Sequence, residues 1–158
     1  MFIRLKRLCL LLGVAVFVIY CDDHCLAEGV FVKTDKDTYY HQEIIEVTVT
    51  NKLPYSIFSF AADKNFLLSI SNVEKRISQY SWDAFRASCV EYEYSRIPPE
   101  IPSGSSVSFK WKPLVCLNKQ QRPLEKGRWR FTLIYQIRKD YSGNWVWRTT
   151  KSNEFIIE

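Results

Sequence analysis

Apolar and polar residues alternate along much of this chain, and that period of two is the pattern of half-buried β-strands. In IIEVTVTN, residues 44–51, Ile45, Val47 and Val49 fall on one face. In RWRFTLIYQIRK, residues 128–139, every second residue from Trp129 to Ile137 is again apolar. Both stretches are rich in β-branched or aromatic side chains, so they predict strands with one face in a core.

The rest of the chain predicts shorter elements of the same kind. Residues 73–76 (VEKR) are predicted as a polar edge and 112–127 as a long loop. Residues 78–95 are ambiguous, and a short helical turn before a strand that ends near Tyr94 is one interpretation. The proline-rich residues 96–106 cannot pair in a central strand. Further strands are expected at residues 29–33, 55–60, 65–72, 107–111, 145–150 and 153–158, with a hairpin turn at 140–144. Seven to nine short antiparallel strands with almost no helical period predict an all-β fold, a β-sandwich.

Residues 1–27 read as a secretory signal peptide, and residues 28–158 as one folded domain. A basic start is followed by an apolar run at residues 8–21 and by small residues before a cut after Ala27. The run is shorter than the roughly 20 apolar residues of a membrane span. A lipid on Cys21, or retention of the segment as an uncut anchor, are the alternatives. The protein is therefore expected to be exported, to a periplasm, a cell envelope or the extracellular space.

Two cysteines, Cys89 and Cys116, remain in the predicted domain, and export makes a disulfide between them the simplest use. The formal net charge of the whole chain is +5. The excess of Lys and Arg falls in residues 86–158, which suggests an anionic partner, although a solvated sheet face is the favoured interpretation.

The opening stretch resembles that of bacterial immunoglobulin-like modules, which commonly read D-K-x-x-Y-x-P-G-E and then V-x-V-x-V-x-N. His41 and Gln42 stand where Pro and Gly usually do, so the turn is expected to be made in another way. Residues 101–111, 125–135 and 152–158 are similar to the closing strands of these modules. The layout resembles the intracellular proteinase inhibitor family and macroglobulin-like and adhesin modules, which implies an immunoglobulin-like sandwich and a binding role. The matching residues are Asp35, Lys36, Tyr39, Glu43, Val47, Val49, Asn51 and Gly127.

No convergent set of catalytic groups stands out. His41 is the only histidine of the predicted domain, and its place in a turn favours a surface role over that of a general base. Asp35 and Asp37 could offer oxygens to calcium, with Asp63 or Asp83, but a solvated turn is the simpler interpretation. Glu91 and Glu93 share a strand face, an ordinary spacing for a wet face. The sequence therefore predicts no catalytic residue, no metal site, no cofactor and no enzyme.

Aromatic residues give the one candidate ligand site. Trp145 and Trp147 share a face of the last hairpin beside Tyr141 and near Arg148, and could form a stacking platform. Tryptophans at alternating positions more often fill a core, and that interpretation is favoured for these two and, more strongly, for Trp111 and Trp129. Nucleic acid is not expected as a ligand of an exported protein.

The sequence therefore predicts a non-catalytic binding module for an unidentified protein partner, with proteinase inhibition as one specific form. A carbohydrate-binding module that uses the aromatic platform is the alternative. A membrane is a partner only if the N-terminal segment is retained or lipidated.

Overall fold

The computed structural model describes residues 29–59, 70–89, 98–138 and 144–158, and within these ranges the chain forms thirteen β-strands and no helix. The predicted signal peptide lies outside the described residues, as do Asp63, Glu91, Glu93 and Tyr141. The strands are β1 (Val30–Thr34), β2 (Thr38–Tyr39), β3 (Ile45–Asn51), β4 (Ile57–Ser59), β5 (Ile70–Arg76), β6 (Trp82–Arg86), β7 (Glu100–Ile101), β8 (Ser106–Trp111), β9 (Leu114–Leu117), β10 (Gln120–Pro123), β11 (Gly127–Arg138), β12 (Trp145–Lys151) and β13 (Phe155–Ile157).

Two sheets enclose one hydrophobic core. In the smaller sheet β3 lies between β1 and β8. The other ten strands form a larger sheet that curls into a half-barrel. Its main path runs β10-β9-β6-β5-β11-β13-β2, β12 and β4 also pair with β11, and β7 pairs with β4. The predicted all-β class is confirmed, and the arrangement is compatible with a β-sandwich.

The inward faces predicted from the alternation are confirmed. Ile45, Val47 and Val49 of β3 are fully buried, and β11 buries its apolar face from Trp129 to Tyr135. Phe131 connects the two sheets: the Trp111 ring of β8 meets it edge-on at 5.0 Å between centroids, and Phe155 of β13 stacks on it at the same distance. The predicted core tryptophans, Trp111 and Trp129, are therefore both in the core.

Residues Asp35–Glu43, which we call the opening motif, form hydrogen bonds with one another around the buried Tyr39. The hydroxyl of Tyr39 donates to Asp35 Oδ1 at 2.7 Å and accepts from the Lys36 amide at 2.8 Å. Burial, followed by the Asp35 carboxylate, raises the pKa of Tyr39 to about 12. Gln42, which stands where glycine is usual in the motif, has φ of 64°, the left-handed conformation that glycine favours. The Glu43 amide donates to the Tyr40 carbonyl at 3.0 Å and closes this turn.

Two local expectations were wrong. The count of thirteen strands exceeds the seven to nine predicted because β2, β7, β9 and β10 were not expected. Residues 112–127 are not a long loop but contain the β9–β10 hairpin, whose second strand is exposed at every residue and so lacks an alternating pattern. Residues 73–76 are not an edge, because β5 pairs with both β11 and β6. Val73 faces the core there, while Glu74 lies on the outer face, where the neighbouring strands supply cations.

The β9–β10 turn offers a test of backbone strain. Asn118 and Lys119, its two central residues, have φ of 50° and 63°, as a type I′ turn requires. Lysine pays a steric cost in this conformation that glycine does not. Lys119→Gly is therefore expected to raise the free energy of unfolding by about 0.5–1 kcal/mol in urea titration. Asn118→Gly is expected to raise the free energy of unfolding by less, since asparagine tolerates the left-handed conformation. Equal increases for the two substitutions would contradict this explanation.

Candidate functional site

Two tryptophans of the predicted platform, both on β12, are exposed at the surface. Trp145 and Trp147 are 38% and 46% exposed, so the core interpretation favoured for them from the sequence was wrong. The reason lies in the pairing: Trp147 lies opposite Gln136 and Trp145 opposite Arg138, on the outer face of β11. The inward residues of β11 instead lie opposite Val146, Arg148 and Thr150.

Phe58 of β4 completes this surface, which we call the tryptophan patch (Phe58, Trp145 and Trp147). Phe58 lies opposite Gln136 from the other side of β11, and its ring meets that of Trp145 at 5.0 Å with an interplanar angle of 71°. The two rings are thus nearly perpendicular and do not form one flat surface. No sequence pattern distinguishes Phe58, because it lies in the apolar stretch YSIFSF beside the fully buried Ile57.

The structure separates the predicted platform residues. Arg148 lies on the other side of β12 from the tryptophan rings, opposite Tyr135, and its guanidinium donates to the Trp147 carbonyl at 3.2 Å. The cation placed beside Trp145 is Arg138, its partner across the strand pair. Tyr141, predicted as the third aromatic of the platform, lies outside the described residues. The two tryptophans are therefore brought together with Phe58 and Arg138.

A charged cluster centred on Glu74 shares this outer face, and sequence reasoning missed it. The Glu74 carboxylate accepts from Arg130 Nε at 2.6 Å, Thr132 Oγ1 at 2.8 Å and Lys151 Nζ at 3.1 Å. The guanidinium of Arg130 also stacks on the Trp82 ring, 3.8 Å from its centroid. Burial works against ionisation of Glu74, but the three donors outweigh it and hold the pKa of this carboxyl below its ordinary value.

The Glu74 cluster makes stability depend on pH in one direction. The pKa of Glu74 is lower in the folded protein than in the unfolded chain. The ionised carboxylate therefore contributes fully to the free energy of unfolding above the ordinary glutamate pKa, and this contribution is lost as pH falls through the folded pKa. Glu74→Gln is expected to lower the free energy of unfolding by about 1–3 kcal/mol at pH 7, because it removes charge-assisted hydrogen bonds. In urea titrations between pH 7 and pH 3, the difference in the free energy of unfolding between Glu74→Gln and the unmodified chain should become smaller as pH falls. Glu125→Gln removes a pair with Lys75 whose carboxylate is largely exposed, and should change stability little.

A groove of about 580 Å³ runs between the edge strands of the two sheets, β1 and β12. Three contacts join β1 to β12 and the residues that follow it: Thr150 Oγ1 donates to the Val30 carbonyl at 3.0 Å, Val32 forms a parallel β-bridge with Ser152, and the Thr34 amide donates to Asn153 Oδ1 at 3.0 Å. The lining mixes backbone, hydroxyl and aromatic groups. It consists of Gly29, Val30, Phe31, Val32, Tyr135, Thr149, Thr150, Lys151, Ser152 and Asn153.

The remaining polar residues considered from the sequence are Asp35, His41 and the two cysteines. Asp35 accepts from the Tyr39 hydroxyl and from the Glu46 amide, at 2.7 and 2.9 Å, so its Oδ1 is used within the opening motif. His41 is exposed in the turn before β3. Across the described ranges, no three His, Cys, Asp or Glu side chains lie close enough together to hold a metal ion. The expected disulfide between Cys89 and Cys116 is present and joins the end of the β6 segment to β9.

Comparison of the chain with models of known protein families found no match, and comparison with curated protein sequences also found none. Among the residues that the structure describes, no helix is long and apolar enough to cross a membrane.

Proposed function

We propose that this chain is an exported immunoglobulin-like β-sandwich module that binds a protein partner, without catalysis, through the tryptophan patch. The observation that carries the proposal is the exposure of Trp145 and Trp147 side by side on one strand. Burying such rings against a partner removes a large apolar area from water, and tryptophan is among the residues most enriched where interfaces bind tightest. Arg138 beside the patch adds a charged rim.

The immunoglobulin-like part of the proposal is supported by the opening motif, whose Asp35, Lys36 and Tyr39 form one hydrogen-bonded unit. Export is supported by the Cys89–Cys116 disulfide, since such bonds persist in oxidising compartments. A partner that is a proteinase would give the module an inhibitory role, the specific form that the family resemblance suggests.

Protein is favoured over carbohydrate by the arrangement of the rings. A sugar platform needs faces that a pyranose ring can lie flat against, whereas Trp145 meets Phe58 at 71°. The alternative of a carbohydrate-binding module rests on the two exposed tryptophans, spaced two residues apart.

The test compares three forms of residues 28–158 with the disulfide intact. The unmodified domain, Trp145→Ala/Trp147→Ala and Tyr80→Ala are immobilised and exposed to envelope and medium extracts. Tyr80 is 88% exposed and lies outside the patch, so it controls for the loss of surface aromatic area. We expect a protein retained near equal stoichiometry by the unmodified and Tyr80 forms and lost from the double variant, with unchanged unfolding midpoints. Retention of polysaccharide alone, or equal retention by all three forms, would contradict the proposal.

A further inference from the structure

We infer that the protein partner is acidic and that its carboxylates contact the outer face of the larger sheet, beside the tryptophan patch. This inference rests on the proposed protein-binding function and names the chemistry of the partner. Six cations on the outer side of β5, β6, β11 and β12 carry it, and we call this surface the cationic face. They are Arg76, Arg86, Arg128, Arg130, Arg138 and Lys151.

The pairing of four strands places these cations on one side of the sheet. Arg86 of β6 lies opposite Asn72 of β5, which in turn lies opposite Thr132 of β11. Lys151 of β12 lies opposite Thr132 from the other side. At the usual strand spacing and rise, Arg86 is about 20 Å from Trp147 at the level of the backbone. An interface of standard size is about 30 Å across, so one partner can contact both the cationic face and the tryptophan patch.

Four of the six cations share two carboxylates. Glu74 accepts from two of them in the cluster described above. Glu154 Oε2 lies 3.2 Å from Arg76 Nη1 and 3.7 Å from Arg128 Nη1. Each carboxylate therefore balances one of its two cations, and one positive charge is left over at each.

The other two cations are exposed and have no ion pair within the part of the chain that the structure describes. They are Arg86 on β6 and Arg138 at the end of β11. One further carboxylate, the exposed Glu100, lies opposite Phe58 of the tryptophan patch. Six cations thus face three carboxylates, and this excess attracts an acidic surface. A second copy of the chain packed through the same face would set like charges against one another, which is unfavourable.

The ring of Trp82 orders two of the guanidinium groups. Arg130 lies 3.8 Å from its centroid and Arg76 lies 5.8 Å from it. Arg76 also donates to the carbonyls of Ser78 and Gln79, at 3.2 and 3.1 Å. With its ion pair, Arg76 uses three of its five N–H donors, and two remain for a partner. A guanidinium already held in place loses little conformational entropy when it binds a carboxylate.

The probe is poly-L-glutamate, and polygalacturonate serves as a polysaccharide that carries the same charged group. Titration calorimetry with the oxidised domain is expected to give at least about tenfold tighter binding of polyglutamate. Its flexible methylene stems can pack on the tryptophan rings, whereas a pyranose needs a flat surface and Trp145 meets Phe58 at 71°. Raising the salt from about 0.05 M to about 0.5 M should weaken the binding, because it screens exposed charges.

The decisive variant is Arg86→Glu/Arg138→Glu, which should weaken polyglutamate binding at least about tenfold. The matched control, Lys33→Glu/Lys110→Glu, makes the same change in net charge on the outer face of the smaller sheet. It should weaken binding less than about threefold, because its charges are distant from the probe and screened. An unfolding midpoint shows whether each variant is folded. If charge reversal disrupts the fold, Arg86→Gln/Arg138→Gln is compared with Lys33→Gln/Lys110→Gln, and the arginine variant should again bind more weakly.

Equal weakening by the arginine and lysine variants would overturn the inference, as would binding that salt does not affect. Polygalacturonate that binds as tightly as polyglutamate would assign the face to an anionic polysaccharide and overturn it too. The extract assay separates the inference from the proposed function. Loss of the retained protein from Trp145→Ala/Trp147→Ala, with retention by Arg86→Glu/Arg138→Glu, would leave the proposed function standing and reject the acidic contact. Retention by both variants would reject both.

Discussion

Phe131→Ala is expected to lower the free energy of unfolding by about 3–5 kcal/mol. Phe131 is fully buried, and its ring contacts Trp111 of the smaller sheet and Phe155 of the larger one. Truncation would leave a cavity between the sheets that neither neighbour can fill without leaving its own place. Urea or guanidinium unfolding of the oxidised domain measures the change directly.

Trp147→Ala is the matched control for Phe131→Ala, because it removes a larger ring from a site that is 46% exposed. Its cost should stay below about 1 kcal/mol, as for most surface substitutions. The contrast therefore also tests the placement of the tryptophan patch. A loss at Trp147 comparable to that at Phe131 would mean that the ring belongs to the core, and would remove the basis of the proposed function.

The sequence was sufficient to predict which side chains of β3 and β11 face the core. The alternation at Ile45, Val47 and Val49, and again along β11 from Trp129, fixes the inward face because a shift of one residue would expose every apolar side chain. Burial of Trp111 and Trp129 followed from the same rule. The disulfide could also be predicted, since Cys89 and Cys116 are the only two cysteines after the predicted signal peptide.

Pairing between strands could not be predicted from the sequence, so the sequence named Trp145 and Trp147 as a candidate platform but favoured the core for them. Trp145 and Trp147 have the same spacing as core residues, and only their register against Arg138 and Gln136 places them outside. Glu74 sits in a stretch that reads as a polar edge, because its partners Arg130 and Lys151 are distant in sequence. The groove lies between β1 and β12, which are far apart in the sequence, so no local sequence pattern predicts it.

Removal of the disulfide by Cys89→Ser/Cys116→Ser is expected to cost about 3–4 kcal/mol on the chain-entropy model, given a sequence separation of 27. The direct pairing between β6 and β9 consists of one register pair, Arg86 with Cys116, so the covalent bond is the main tether there. Against a total stability of about 5–15 kcal/mol for such a domain, the loss would leave a folded but weakened protein.

The measurement is urea titration of the unmodified domain, with and without a reducing agent, and of the double serine variant. The comparison separates the effect of losing the disulfide on the free energy of unfolding from the effect of the two substitutions. The reduced domain and the variant should unfold at similar urea concentrations, and the reducing agent should not affect the variant. A loss below about 1 kcal/mol would mean that burial of Val115 and Leu124 already holds the β9–β10 hairpin. The fold would then be nearly as stable in a reducing compartment, and the disulfide would no longer support export.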